Sequence, residues 1–114
     1  MISEAWKLYE KQAIENIRER YRTDSNLIRF NEENAALFGE DYKNEKEALL
    51  KCNSFAEMQD KHEEFIKGKN EITKIPHRIA LVEMHDSIRD EILRIEAVEK
   101  YKKRMMEDER KTKI

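Results

Sequence analysis

The stretch Pro76–Glu109, PHRIALVEMHDSIRDEILRIEAVEKYKKRMMEDE, decides the fold. It contains no internal glycine or proline, and the proline at its head suits the first turn of a helix, where the N–H it lacks would be unpaired. At 100° per residue, Leu81, Met84, Ile88, Ile92 and Ile95 fall on one narrow stripe. A second set, Ile79, Val82, Leu93, Ala97 and Tyr101, falls roughly opposite. A helix apolar on two sides sits between neighbours, or between its own chain and a partner. A helix of about 34 residues spans roughly 50 Å, whereas a compact chain of this size has a diameter of about 34 Å. The sequence therefore predicts either an elongated molecule or an overhang that meets another chain.

Upstream, Ser3 is placed to cap a first helix, and Trp6, Tyr9, Ala13 and Ile17 follow at helical spacing. The run Thr23-Asp24-Ser25-Asn26 is poor helix material, yet Leu27, Asn31, Ala35 and Phe38 continue the stripe in phase. Phase continuity predicts one long helix over about 3–38, kinked near 23–26 and stopped by Gly39. A second helix is expected over 41–67, capped by Asp41. Its stripe of Ala48, Cys52, Phe55, Gln59, His62 and Ile66 alternates four and three residues, as a coiled-coil seam does. Ser54 and Glu57 have capping-box spacing, which would split this helix, but the unbroken seam across Asn53 favours continuity. After Gly68 a connector leads to Pro76, with Ile72 and Ile75 expected to pack on the bundle. The expected fold is all-α: an elongated antiparallel helical hairpin or bundle of about three long helices with coiled-coil-like seams. It forms a single domain over 1–114, with helices at about 3–38, 41–67 and 76–109 and a short frayed tail.

Composition agrees with long, solvent-washed helices. Charged residues make up 42% and apolar ones 39%, with two glycines and one proline. Mixed signs and a net charge of −2 give no overall attraction to nucleic acid or membrane. Cys52 has no partner for an intrachain disulfide, which favours a reducing compartment. With no signal-peptide pattern at the start and no apolar run of about 20 residues, a soluble, cytoplasmic protein is expected.

Little of the sequence reads as chemistry. His62-Glu63-Glu64-Phe65-Ile66 opens like the zinc-protease pattern H-E-x-x-H, but isoleucine stands where the second ligand belongs. His62 is better read as a polar seam residue. Neither His77 nor His85 has a glutamate three residues before it, so the Glu-x-x-His pattern of di-iron bundles is missing. His85, beside Asp86 and one turn from Arg89, reads as a partly buried histidine rather than a catalytic base. The acidic pairs Glu63-Glu64 and Asp90-Glu91 point about 100° apart on a helix and do not converge on one ion. No catalytic, cofactor-binding or metal-ligating residue is predicted, and no enzyme activity.

Two binding readings remain. The favoured one is a protein–protein interaction module (an adaptor, assembly factor, chaperone or small inhibitor) that acts by surface occupancy and forms a homo-oligomer, with a dimer favoured. Ile88, Ile92 and Ile95 would form its shared core, with Tyr101, Met105 and Met106 at a partner-facing end. The alternative is nucleic-acid association through Arg18, Arg22 and Arg29 of the first helix and Lys102, Lys103 and Arg104 near the end.

Overall fold

A computed structural model describes residues Glu4–Thr112, with side chains from Trp6 to Asp108. The Ser3 cap and the end of the tail lie outside the described residues. Five helices account for the described chain: α1 (Glu4–Thr23), α2 (Ser25–Phe38), α3 (Glu40–Leu49), α4 (Phe55–Ile66) and α5 (Glu71–Thr112). The all-α expectation holds; the count of about three rods does not, and each difference has a local cause.

The first long helix divides at Asp24. Its backbone is extended (φ −82°, ψ 109°), and its carboxylate accepts from the N–H groups of Asn26 and Leu27. That is an N-cap for α2, so the chain stops and restarts while the apolar stripe stays in phase. Gly39 then ends α2 with φ +84°, a conformation side chains disfavour, and its N–H reaches the Ala35 carbonyl.

The expected 41–67 helix divides as well, with Ser54 as the N-cap of α4 and Glu57 reaching back to the residue before that cap. Ser54 Oγ accepts from the Glu57 N–H at 3.1 Å, while Glu57 Oε2 accepts from the Asn53 N–H at 3.0 Å. Helix α1 supplies the rest. Arg18 donates to the carbonyls of Leu50 (2.6 Å) and Cys52 (2.8 Å), and Glu10 accepts from the Phe55 N–H at 2.5 Å. One arginine thus satisfies carbonyls at the end of α3 and one glutamate an amide at the start of α4. The stripe from Ala48 to Ile66 is consequently not one continuous seam.

Helix α5 begins earlier than expected. Asn70 Oδ1 accepts from the Thr73 N–H at 2.9 Å, which starts the helix five residues before Pro76 and leaves that proline inside it. Ile72 and Ile75 sit on this added turn and are exposed rather than packed on the bundle. With 42 residues, α5 is about 63 Å long at ~1.5 Å per residue. It sets the long dimension of a 66 × 31 × 19 Å molecule. The radius of gyration is 17.8 Å, against about 13 Å for a compact chain of this length. The molecule is elongated, as expected.

The core gathers on one side of α5. Ala13, Ile14, Ile17 and Tyr21 of α1 close over Met84, Ile88 and Ile92, with Leu49, Cys52 and Met58 completing the cluster. The predicted stripe is therefore the buried one, with Leu81 and Ile95 at its edges. Arg89 stands over the Trp6 ring, and Asn16 donates to Glu91. Trp6 and Asn16 are about 15 Å apart along α1, yet their α5 partners are close neighbours. Helix α1 therefore lies across α5 and does not pair with it as the arm of an antiparallel hairpin. No helix of the described residues is long and apolar enough to cross a membrane.

Candidate functional site

Helix α5 is buried along one side and exposed along the other. Ile88 and Ile92 are fully buried and Ile95 is half-buried against the same cluster, so the three belong to the core of one chain. They do not present a surface on which two chains could share a core. The second apolar set is the accessible one: Val82, Leu93 and Tyr101 are 55%, 51% and 63% exposed. Ile72, Ile75 and Val98 extend that exposure along the helix; Met105 and Met106 are exposed at its far end, with Met106 in line with Ile88 and Ile92. The 19 Å short dimension equals about two helix diameters, so little beyond one layer lies against the inner side of α5.

The inner side is held by polar groups as well as apolar ones. Lys46 of α3, almost wholly buried, donates to Glu83 at 2.7 Å and to the Tyr42 hydroxyl at 3.1 Å. Its ammonium also lies 4.9 Å from the Tyr21 ring centroid and 5.2 Å from that of Tyr42. Burial opposes the charge, but Tyr21, Glu83 and Tyr42 outweigh it and raise the Lys46 pKa. Tyr42 also hydrogen-bonds Glu83, and Asn34 of α2 donates to the same carboxylate at 2.7 Å. Further along, Glu91 accepts from Arg94 and, at 3.0 Å, from Asn16; the Arg94 bond most of all holds its carboxyl below the usual range. These networks fasten α1, α2 and α3 to α5.

A second cluster joins α3, α4 and α5. Glu45 is fully enclosed, with Oε2 at 2.7 Å from His62 Nδ1 and Oε1 at 2.9 Å from His77 Nδ1. His62 is 5% and His77 1% exposed. Burial pushes the Glu45 carboxyl up to about 8 and pulls both imidazoles below their usual value. Near neutral pH the cluster is thus three uncharged groups sharing hydrogen bonds rather than an ion pair. One imidazole donates its Nδ1–H to the carboxyl, and the carboxyl O–H donates to the other. Both Nδ1 atoms are engaged with Glu45, and among the described residues no group of three or more His, Cys, Asp or Glu is arranged to hold a metal. The cluster can exchange protons and is closed to a substrate.

His62 is the polar residue on a buried face that its spacing suggested, and His85 is half-buried as expected. Glu45 was not foreseen, since its partners lie 17 and 32 residues away. A signal did exist: Tyr42, Glu45, Lys46 and Leu49 share one face at helical spacing, which places two charges on a buried stripe.

The basic residues are dispersed. Arg18 is turned onto the α3–α4 turn, and Arg22 pairs with Glu19 at 2.6 Å. Arg29 lies beyond the Asp24 break, on α2. Lys102 stands 3.6 Å from Glu99, with Lys103 and Arg104 exposed near the end of α5. No protein-family model matches this chain, and neither a curated protein nor a solved structure matches it either.

Proposed function

We propose that this protein is a non-enzymatic, cytoplasmic protein–protein interaction module that acts by surface occupancy, and that the outer face of α5 docks a second copy of the chain. The observation that carries the reading is the two-sidedness of α5: Ile92 is fully buried while Leu93, the next residue, is 51% exposed within an apolar stripe. Covering one such half-exposed side chain is worth about 1 kcal/mol, so several together supply useful affinity. Charge on the same face supports self-pairing. Asp86 and Asp90 precede Leu93, and Lys100 and Arg104 follow it, all within about 80° of one another. In a two-fold, antiparallel pairing of α5 helices the acidic half of one copy meets the basic half of the other.

Sedimentation equilibrium of the full chain tests this. The wild type should dimerise at micromolar concentration, and Leu93→Asp should be a monomer with an unchanged helical spectrum, because the new charge sits in water. A wild type that stays monomeric, or a Leu93→Asp variant that dimerises as well as the wild type, would overturn the reading. Nucleic-acid association is the weaker alternative, because the Arg18 guanidinium is already committed to the Leu50 and Cys52 carbonyls.

A further inference from the structure

We propose that the Glu45–His62–His77 cluster is a pH-dependent latch that fastens α4 against α3 and α5 near neutral pH and releases α4 by local opening in both acid and alkali. Each helix contributes one group, so the cluster is a three-way joint. For α4 it is one of few attachments: Met58 and His62 are the buried residues of that helix. The start of α4 is pinned separately, by Glu10 on the Phe55 amide and by the Trp6 and His85 rings against Phe55. Release therefore concerns the Met58–Ile66 part.

Other charges facing the cluster are few. From α3, Asp41 Oδ2 lies 3.8 Å from His77 Nε2, too far for a hydrogen bond, and that buried nitrogen has no partner. Asp41 is itself 3.9 Å from Lys69 of the α4–α5 turn. Lys46, next to Glu45 on α3, is turned to Glu83. Glu63 on α4 and Arg78 and His85 on α5 act on His62 through space. The Phe65 ring stacks on His77 at 5.4 Å and keeps water from it.

The direction follows from counting protons. Closed, the cluster holds one proton on the carboxyl up to about pH 8 and resists a second on either imidazole. Open to water, the carboxyl returns to 4.5 and the imidazoles to 6.5. Below about pH 6.5 the open form binds more protons, so acid favours opening; above it the closed form binds more, so rising pH also favours opening. The counts are equal when two half-protonated imidazoles match one carboxyl proton, at about pH 6.5. From that optimum the opening constant rises toward acid, by an amount set by how far burial lowers the two imidazoles, and rises somewhat less than roughly tenfold by pH 9.

Cys52 supplies the readout. It is the sole cysteine of the chain, buried, and it lies under a groove lined by Ala48 and Lys51 of the α3 end and by Glu57 and Lys61 of α4. Its labelling by a thiol reagent, divided at each pH by the rate for the urea-unfolded chain, measures opening. The wild type should show a minimum near pH 6.5 and a shallower urea dependence than global unfolding. Glu45→Gln keeps the hydrogen bonds but cannot ionise, so its opening constant should fall about fourfold from pH 6.5 to 9 instead of rising. His62→Gln removes one open-state proton and should abolish the acid rise between pH 6.5 and 5. A flat wild-type profile, an alkaline rise that survives in Glu45→Gln, or a urea slope equal to that of global unfolding would overturn the latch.

Discussion

Truncating the neighbours Ile92 and Leu93 to alanine, one at a time, should separate the two faces of α5 by their energies. Ile92 is fully buried in the core cluster that also holds Ile14, Ile17 and Ile88, so Ile92→Ala leaves a cavity in a packed core. Changes of that type cost about 2–5 kcal/mol. Leu93 is 51% exposed, and complete burial of a leucine is worth about 1.5–3 kcal/mol, so Leu93→Ala should cost the folded chain at most about 1 kcal/mol. Leucine is the better helix former of the two, by roughly a few tenths of a kcal/mol at most, and both positions gain the same alanine. Urea unfolding followed by circular dichroism gives the difference, at protein concentrations low enough that association adds nothing. With a total stability on the order of 5–15 kcal/mol, the Ile92 variant should lose a large share of its midpoint while its slope stays constant. Equal losses at the two positions, or a larger one at Leu93, would refute the assignment of inner and outer faces and with it the docking surface.

Two further outcomes concern the helix breaks. Asp24→Ala removes the side-chain acceptor for the Asn26 and Leu27 amides and should cost about 0.5–2 kcal/mol in the same assay, where Asp24→Asn should restore most of the loss. Arg18→Ala should cost about 2–3 kcal/mol, because two carbonyls of the α3–α4 turn lose charge-assisted bonds. Arg22→Ala, which breaks an exposed pair with Glu19, should fall within about 0.5 kcal/mol of the wild type.

Periodicity in the sequence carried the existence of the helices and the inner stripe of α5, because both depend on the repeat of apolar residues along one segment. Leu81, Met84, Ile88, Ile92 and Ile95 read as one face and pack as one face. Helix breaks were less legible. An apolar stripe reports the phase of a helix, and phase survives a break that is closed by local caps, as at Asp24. At Leu50–Ser54 the local signal, Ser54 with Glu57, was present, and the continuous spacing of Cys52, Phe55 and Gln59 weighed against it. What decides that break is also supplied from far along the chain: Arg18 and Glu10 satisfy backbone groups 32 to 45 residues away. Such contacts leave no mark in a window of a dozen residues.

Glu45 was harder to read than His62 because burial costs the two residues differently. A histidine on an apolar face has an ordinary explanation, whereas a glutamate there incurs a desolvation cost of several kcal/mol unless it stays neutral or finds partners. Glu45 does both: its carboxyl is pushed up to about 8, and two imidazoles occupy its oxygens. Neighbouring Lys46 takes the other route, staying charged against Glu83 and the faces of two tyrosines. Two adjacent buried ionisable residues on a ten-residue helix thus meet the cost of burial in opposite ways. The Lys46 arrangement keeps its charge as pH varies over the neutral range, because its raised pKa holds the proton. The Glu45 arrangement lies within reach of ordinary pH changes. That contrast assigns the fixed joint of α3 with α5 to Lys46 and the releasable one with α4 to Glu45.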